Sequence, residues 1–168
     1  PVSAWPYTQI LMRLALGLAL GLLIGLERER RGKEAGLRTF GFIGLLGTMG
    51  GALGNGYGLA TLALTGLLVL ILNISSLRAG QGTELTTSTA MLVTGMAGIL
   101  CGRGHTIAPA AVMVIATALL AWKERLADFS MGVSEGEIRS AILLAVLAIV
   151  IYPALPQGAV GPWGLIEP

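Results

Sequence analysis

Six stretches of the chain, roughly residues 8–26, 40–54, 59–77, 86–101, 107–122 and 140–155, are almost free of charge and are joined by short glycine-rich or charged connectors. No other feature restricts the fold as strongly. Apolarity runs around every face of these segments, whereas a helix on a water-soluble core keeps a polar face, so the surroundings must be a bilayer. Composition agrees: 12% of the 168 residues are charged and mean hydropathy is +0.80, against about a quarter charged in a soluble domain. Aromatic residues make up 5% and there are 25 glycines, the balance of closely packed membrane helices. The expected fold is therefore all-α, a polytopic transmembrane bundle of about six short helices spanning 1–156, with an extracytoplasmic Pro/Gly-rich tail at 157–168. Several runs hold about 14 to 17 apolar residues, short of the usual ~20, and a re-entrant second segment is the alternative for residues 40–54.

The basic residues set an orientation. The connectors at 27–39, 78–85 and 123–139 hold Arg28, Arg30, Arg31, Lys33, Arg38, Arg78, Lys123, Arg125 and Arg139, while the other side keeps Arg103, and Arg13 lies inside the first run. These connectors are then cytoplasmic and both termini extracytoplasmic. The first run is expected to be an uncleaved helix, since no basic region precedes it. Scattered among glutamates, the basic residues form no nucleic-acid surface. Cys101 stands alone in an apolar run and reads as a packing residue.

Shifted by 48 residues, the sequence partly repeats. Gly47, Gly50, Gly54, Gly56, Ala60 and Ala63 fall on Gly95, Gly98, Gly102, Gly104, Ala108 and Ala111, which predicts two helical hairpins in the same orientation. GLRT at 36–39 aligns with ELTT at 84–87, and EIRS at 137–140 is related. Thr39, Thr87 and Ser140 are expected to cap the helices that follow.

Polar candidates gather at the cytoplasmic ends. Gly17, Gly21 and Gly25 recur every four residues and should let a neighbouring backbone approach. Glu27 follows that stripe, and Glu84 precedes the fourth run beside Thr86 and Thr87. Brought together, the two carboxylates could hold a hard divalent cation or pair with Arg28, Arg38 or Arg78 at the rim. Asn73 lies in the third run near Ser75 and Ser76 and should bond another helix or line a path. His105 has no partner for a zinc motif. No phosphate loop, nucleophile elbow or zinc-protease motif is present, so no enzyme and no cofactor is expected.

The stretch GLLIGLERERRGKEAGLRTFGFIGLLG at 21–47, with ELTTSTAMLVTGMAGILCGRG at 84–104, resembles the MgtC/SapB family of bacterial inner-membrane proteins. The motif positions are Gly21, Gly25, Glu27, Arg28, Gly36, Arg38, Thr39, Thr86 and Thr87; Glu84 stands where the family usually has glycine. The tail, with YPALP at 152–156 and GPWG at 161–164, looks like the junction to a second membrane domain in a longer subfamily, and the chain is expected to be a stand-alone half or a piece of such a protein. The resemblance implies a role in magnesium homeostasis: passage or sensing of a small ion or solute, with Mg2+ or another cation as candidate substrate. The alternative it implies is a non-transporting regulator of other membrane proteins, for example the ATP synthase. Because six short helices barely enclose a pathway, a homodimer is expected.

Overall fold

The computed structural model describes residues 7–33, 35–80, 82 and 85–154. All regular structure among them is helical: α1 (Tyr7–Arg30), α2 (Leu37–Leu53), α3 (Asn55–Arg78), α4 (Leu85–Gly102), α5 (Ile107–Ala121), α6 (Lys123–Gly132) and α7 (Glu135–Ala154). The six apolar runs each lie in a helix. α1, α3, α4 and α7 are long and apolar enough to cross a bilayer; α2, at 17 residues, is about 25 Å long.

The chain divides into two units, residues 1–122 and 123–168. In the first, α2 is the central helix, packed on α1, α3 and α4. Its run of glycines explains why. Gly21 lies against the backbone of Phe40 and Gly41, and Gly25 against Leu37, so α1 and α2 run antiparallel in direct main-chain contact. On the opposite side Gly44 and Gly47 meet Gly98, Gly51 meets Ile99, and Gly102 meets Thr48 and Ala52. The pairs advance together, so α2 and α4 are parallel, as the 48-residue repeat predicts. Threonines fill what the glycines leave open: a methyl at Gly17 would overlap the Thr48 hydroxyl, and one at Gly50 the Thr61 hydroxyl. Thr48, Thr65 and Thr94 satisfy their own hydroxyls by donating to the carbonyls of Gly44, Thr61 and Ala90, four residues back. Ile24, Phe40, Met91, Cys101 and Met113 complete the buried core.

Helix ends follow from glycine and local bonding. Gly32 (φ 65°) and Gly104 (φ 92°) are in the left-handed region. After each, the chain folds back: Gly32 and Lys33 N–H donate to the carbonyls of Glu29 and Arg28, and Gly104 and His105 N–H to those of Cys101 and Leu100. Both ends are Schellman motifs, which satisfy carbonyls the helix leaves over. The expected caps are corrected. Gly36, not Thr39, is the N-cap of α2, and its first N–H, from Leu37, is taken by Glu29 Oε2 at 2.8 Å. Ser134, not Ser140, caps α7, in a capping box with Glu137. Ser140 lies inside the helix and donates to Gly136 O. Thr87 is the third residue of α4, within its first turn. The helices begin earlier than apolarity suggests because polar residues that can bond locally start a helix before the membrane-facing run does.

In the second unit, residues 123–139, expected as a loop, contain α6 and the first turn of α7. Lys123, Glu124, Arg125, Leu126 and Ala127 are good helix formers, so the charges sit on a short helix. α7 opens into a π-helical turn at Leu147–Ile151, just before Pro153, which has no N–H to donate to the carbonyl four residues back.

Candidate functional site

The polar residues within the first unit collect where α1 ends and α4 begins. Arg28, on the face of α1 that carries Gly21 and Gly25, is 3% exposed. Its Nη2 donates to Thr87 Oγ1 at 2.5 Å, and its Nη1 lies 4.0 Å from Glu27 Oε2. Glu27, with a side chain 11% exposed, also accepts from Arg31 Nε through Oε1 at 2.7 Å. Arg31 reaches further: its Nη2 donates to Ala121 O, at the C-terminus of α5, at 2.6 Å. One line of contacts thus joins the ends of α5, α1 and α4. The electrostatics explain its composition. A guanidinium near the N-terminal turn of α4 faces the positive end of that helix, so the Glu27 carboxylate offsets it, whereas Arg31 at the C-terminus of α5 faces a favourable end.

A second polar contact lies between α3 and α4. Asn73 Nδ2 donates to Ser88 Oγ at 2.6 Å and to Val69 O at 2.9 Å, an interhelical staple of the kind a buried amide makes in a membrane. Ser76, 3% exposed, has no hydrogen-bond partner for its hydroxyl among the described residues, and neither has Glu27 Oε2.

The sequence candidates therefore separate. Glu27, Arg28 and Thr87 come together; Asn73 joins Ser88 instead. Thr39 is half-buried and lines a polar hollow of about 390 Å³ with Glu29, Lys33 and Arg38. Thr86, Arg38 and Arg78 are exposed, and Arg38 and Arg78 form no ion pair among the described residues. Gly17, Gly21 and Gly25 lie against α2. Glu84, and with it the proposed cation pair Glu27 and Glu84, lies outside the described residues; among the described residues no cluster of three or more His, Cys, Asp or Glu forms. Sequence reasoning missed Arg31 and Ser88. Arg31 was legible, since it stands four residues after Glu27 and such pairs share a helix face; Ser88 was not, because its role depends on the packing of α3.

The glycine-rich first helix and the Glu27-Arg28 pair at its end are motif positions of the resemblance, and both lie in the first unit. A family model for the MgtC family matches residues 14–129. The chain belongs to the MgtC family. It is accordingly a multi-pass membrane protein of a family linked to magnesium homeostasis. No curated protein and no solved structure gave a match. The matched span takes in all of α2 to α5 and most of α1, and so the whole contact line from Glu27 to Ala121.

Proposed function

We infer that this MgtC-family chain acts in magnesium homeostasis as a non-conducting regulator, seated in the bacterial inner membrane with the Glu27–Arg31 end cytoplasmic, and that it works by engaging another membrane protein. The observation that carries this reading is how the interior of the first unit is filled. Around α2 the helices meet backbone to backbone at Gly21, Gly25, Gly47, Gly51, Gly98 and Gly102, which leaves no width for an ion between α1, α2 and α4. The polar side chains that could have lined a path bond one another: Glu27 with Arg31, Arg28 with Thr87, Asn73 with Ser88. A carboxylate held by guanidinium groups is a poor ligand for a divalent cation, because the cation would have to displace them.

A second reading, passage or sensing of an ion, is favoured by Glu27 Oε2, which is buried and accepts no hydrogen bond among the described residues. In that reading Glu27 and Glu84 would share the ion, and the pathway would lie between two copies of the chain. Reconstitution separates the two. Purified protein in liposomes is expected to give no flux above empty vesicles for a panel of cations and anions, while the chain still restores growth of a dependent strain in low magnesium. Flux that Glu27→Gln or Glu84→Gln abolishes would replace the regulatory reading by transport. The regulatory reading also requires a stoichiometric membrane-protein partner recovered from detergent extracts, still bound to Glu27→Gln.

A further inference from the structure

At the end of the first unit where α2 turns into α3 and α4 into α5, the charged side chains among the described residues are Arg13 and Arg103, whereas the Glu27 end carries both signs. The acids among the described residues of this unit are Glu27 and Glu29, in the last turn of α1. Arg13, on the same helix, is about 20 Å away from them along the axis. Arg13 Nη1 donates to Gly102 O at 2.9 Å, the last residue of α4, and its guanidinium packs on Gly104, where an added Cβ would lie 2.9 Å from Nη2. The contact suits the negative end of α4 and holds the charge at the level where that helix ends, the depth of lipid headgroups. Beside it, between α1 and α2, is a groove of about 210 Å³ lined by Arg13 and by Ile10, Leu14, Met49, Ala52 and Leu53. Apart from Arg13 and Thr48, whose hydroxyl donates to Gly44 O, its walls are apolar, so in a bilayer hydrocarbon fills it.

We propose that this groove is a binding site for an anionic phospholipid, one acyl chain lying along Leu14, Met49 and Leu53 and the headgroup phosphate bonded to the Arg13 guanidinium. The complementarity is specific in position and sign. The guanidinium presents a planar fork of five N–H donors suited to phosphate, it is fixed by Gly102, and no carboxylate among the described residues of the unit lies at this end to neutralise it. Arg103, the other arginine here, is directed elsewhere: its Nη2 donates to Asn55 Oδ1 at 2.9 Å. The site is independent of how the Glu27 cluster works.

The test is native mass spectrometry of the delipidated full chain, titrated with phosphatidylglycerol or with phosphatidylcholine of identical acyl chains. Wild type should retain phosphatidylglycerol about tenfold better, because both lipids present a phosphate to Arg13 but the choline cation of the zwitterionic lipid offsets that charge beside the guanidinium. Arg13→Gln should abolish the preference, and Arg103→Gln, the same change of charge at the same end, should leave it. Excess inorganic phosphate should displace nothing, since the chain contributes to binding. Ala52→Phe, which fills the groove and keeps Arg13, should reduce retention of phosphatidylglycerol, and it decides the matter if Arg13→Gln does not fold. Equal retention of the two lipids by wild type, an equal loss in Arg103→Gln, displacement by phosphate, or undiminished binding in Ala52→Phe would each overturn the proposal.

Discussion

Arg28 is among the most deeply buried residues of a unit that lies in a membrane, and a charge so placed persists only when its partners are fixed. Thr87 supplies one partner through a short hydrogen bond and Glu27 another. Thr87→Val should therefore destabilise the protein by about 1–3 kcal/mol, because it removes a hydrogen bond to a buried charged group. Adding Arg28→Met should recover part of that loss, since removing both partners costs less than removing one. Thermal unfolding of both single variants and the double variant in detergent checks this, and strictly additive shifts in Tm would show that the two residues are not coupled. Glu27 was legible in the sequence as a charged residue at the end of a glycine stripe. The spacing also offered Arg31, four residues on, but the choice of Arg28 over Arg38 and Arg78 was not legible, since it depends on the face of α1 that turns inward.

At the scale of elements, two glycines on neighbouring helices should respond in opposite directions to the same substitution. In α4, a Cβ at Gly98 would lie 3.0 Å from Gly47 Cα and 2.6 Å from Gly44 O; both are backbone atoms of the central helix, so Gly98→Ala should cost roughly 1–3 kcal/mol or more. In α3, Gly66 has nothing within 4 Å of the added atom, so Gly66→Ala should raise stability by up to about 1 kcal/mol through helix propensity and a less flexible unfolded chain. Comparing Tm for the pair tests the seam directly. The cap of α7 is separable from packing, because no residue of α6 or α7 is buried. Ser134→Ala, which removes the capping box, should weaken the helix start by about 1 kcal/mol, seen as faster amide exchange at Glu135–Glu137 with exchange in α4 unchanged.

For the molecule as a whole, Cys101 is a built-in reporter. It is fully buried in α4, so a maleimide should label it in denaturant and not in the native protein in nanodiscs; labelling without denaturant would show that the first unit opens locally. Dimerisation is a separate question, and a mass measured in nanodiscs answers it. The glycine stripe of α1 is already occupied by α2, so it is not available to a second copy.

The sequence by itself determined that the chain is helical and lies in a membrane, because uninterrupted apolar runs leave the backbone no other way to satisfy its donors and acceptors. It also carried the parallel hairpins, since the 48-residue repeat places matching glycines where α2 and α4 touch, and the family, through the motif around Glu27. Only the tertiary structure decided which helix is central, which polar residue meets which, and where helices begin. A glycine stripe shows that a backbone can approach without saying whose, and the answer here is that α2 has glycines on both sides. The same limit concealed Arg13, one arginine in an apolar run, whose setting exists only because α4 ends beside it.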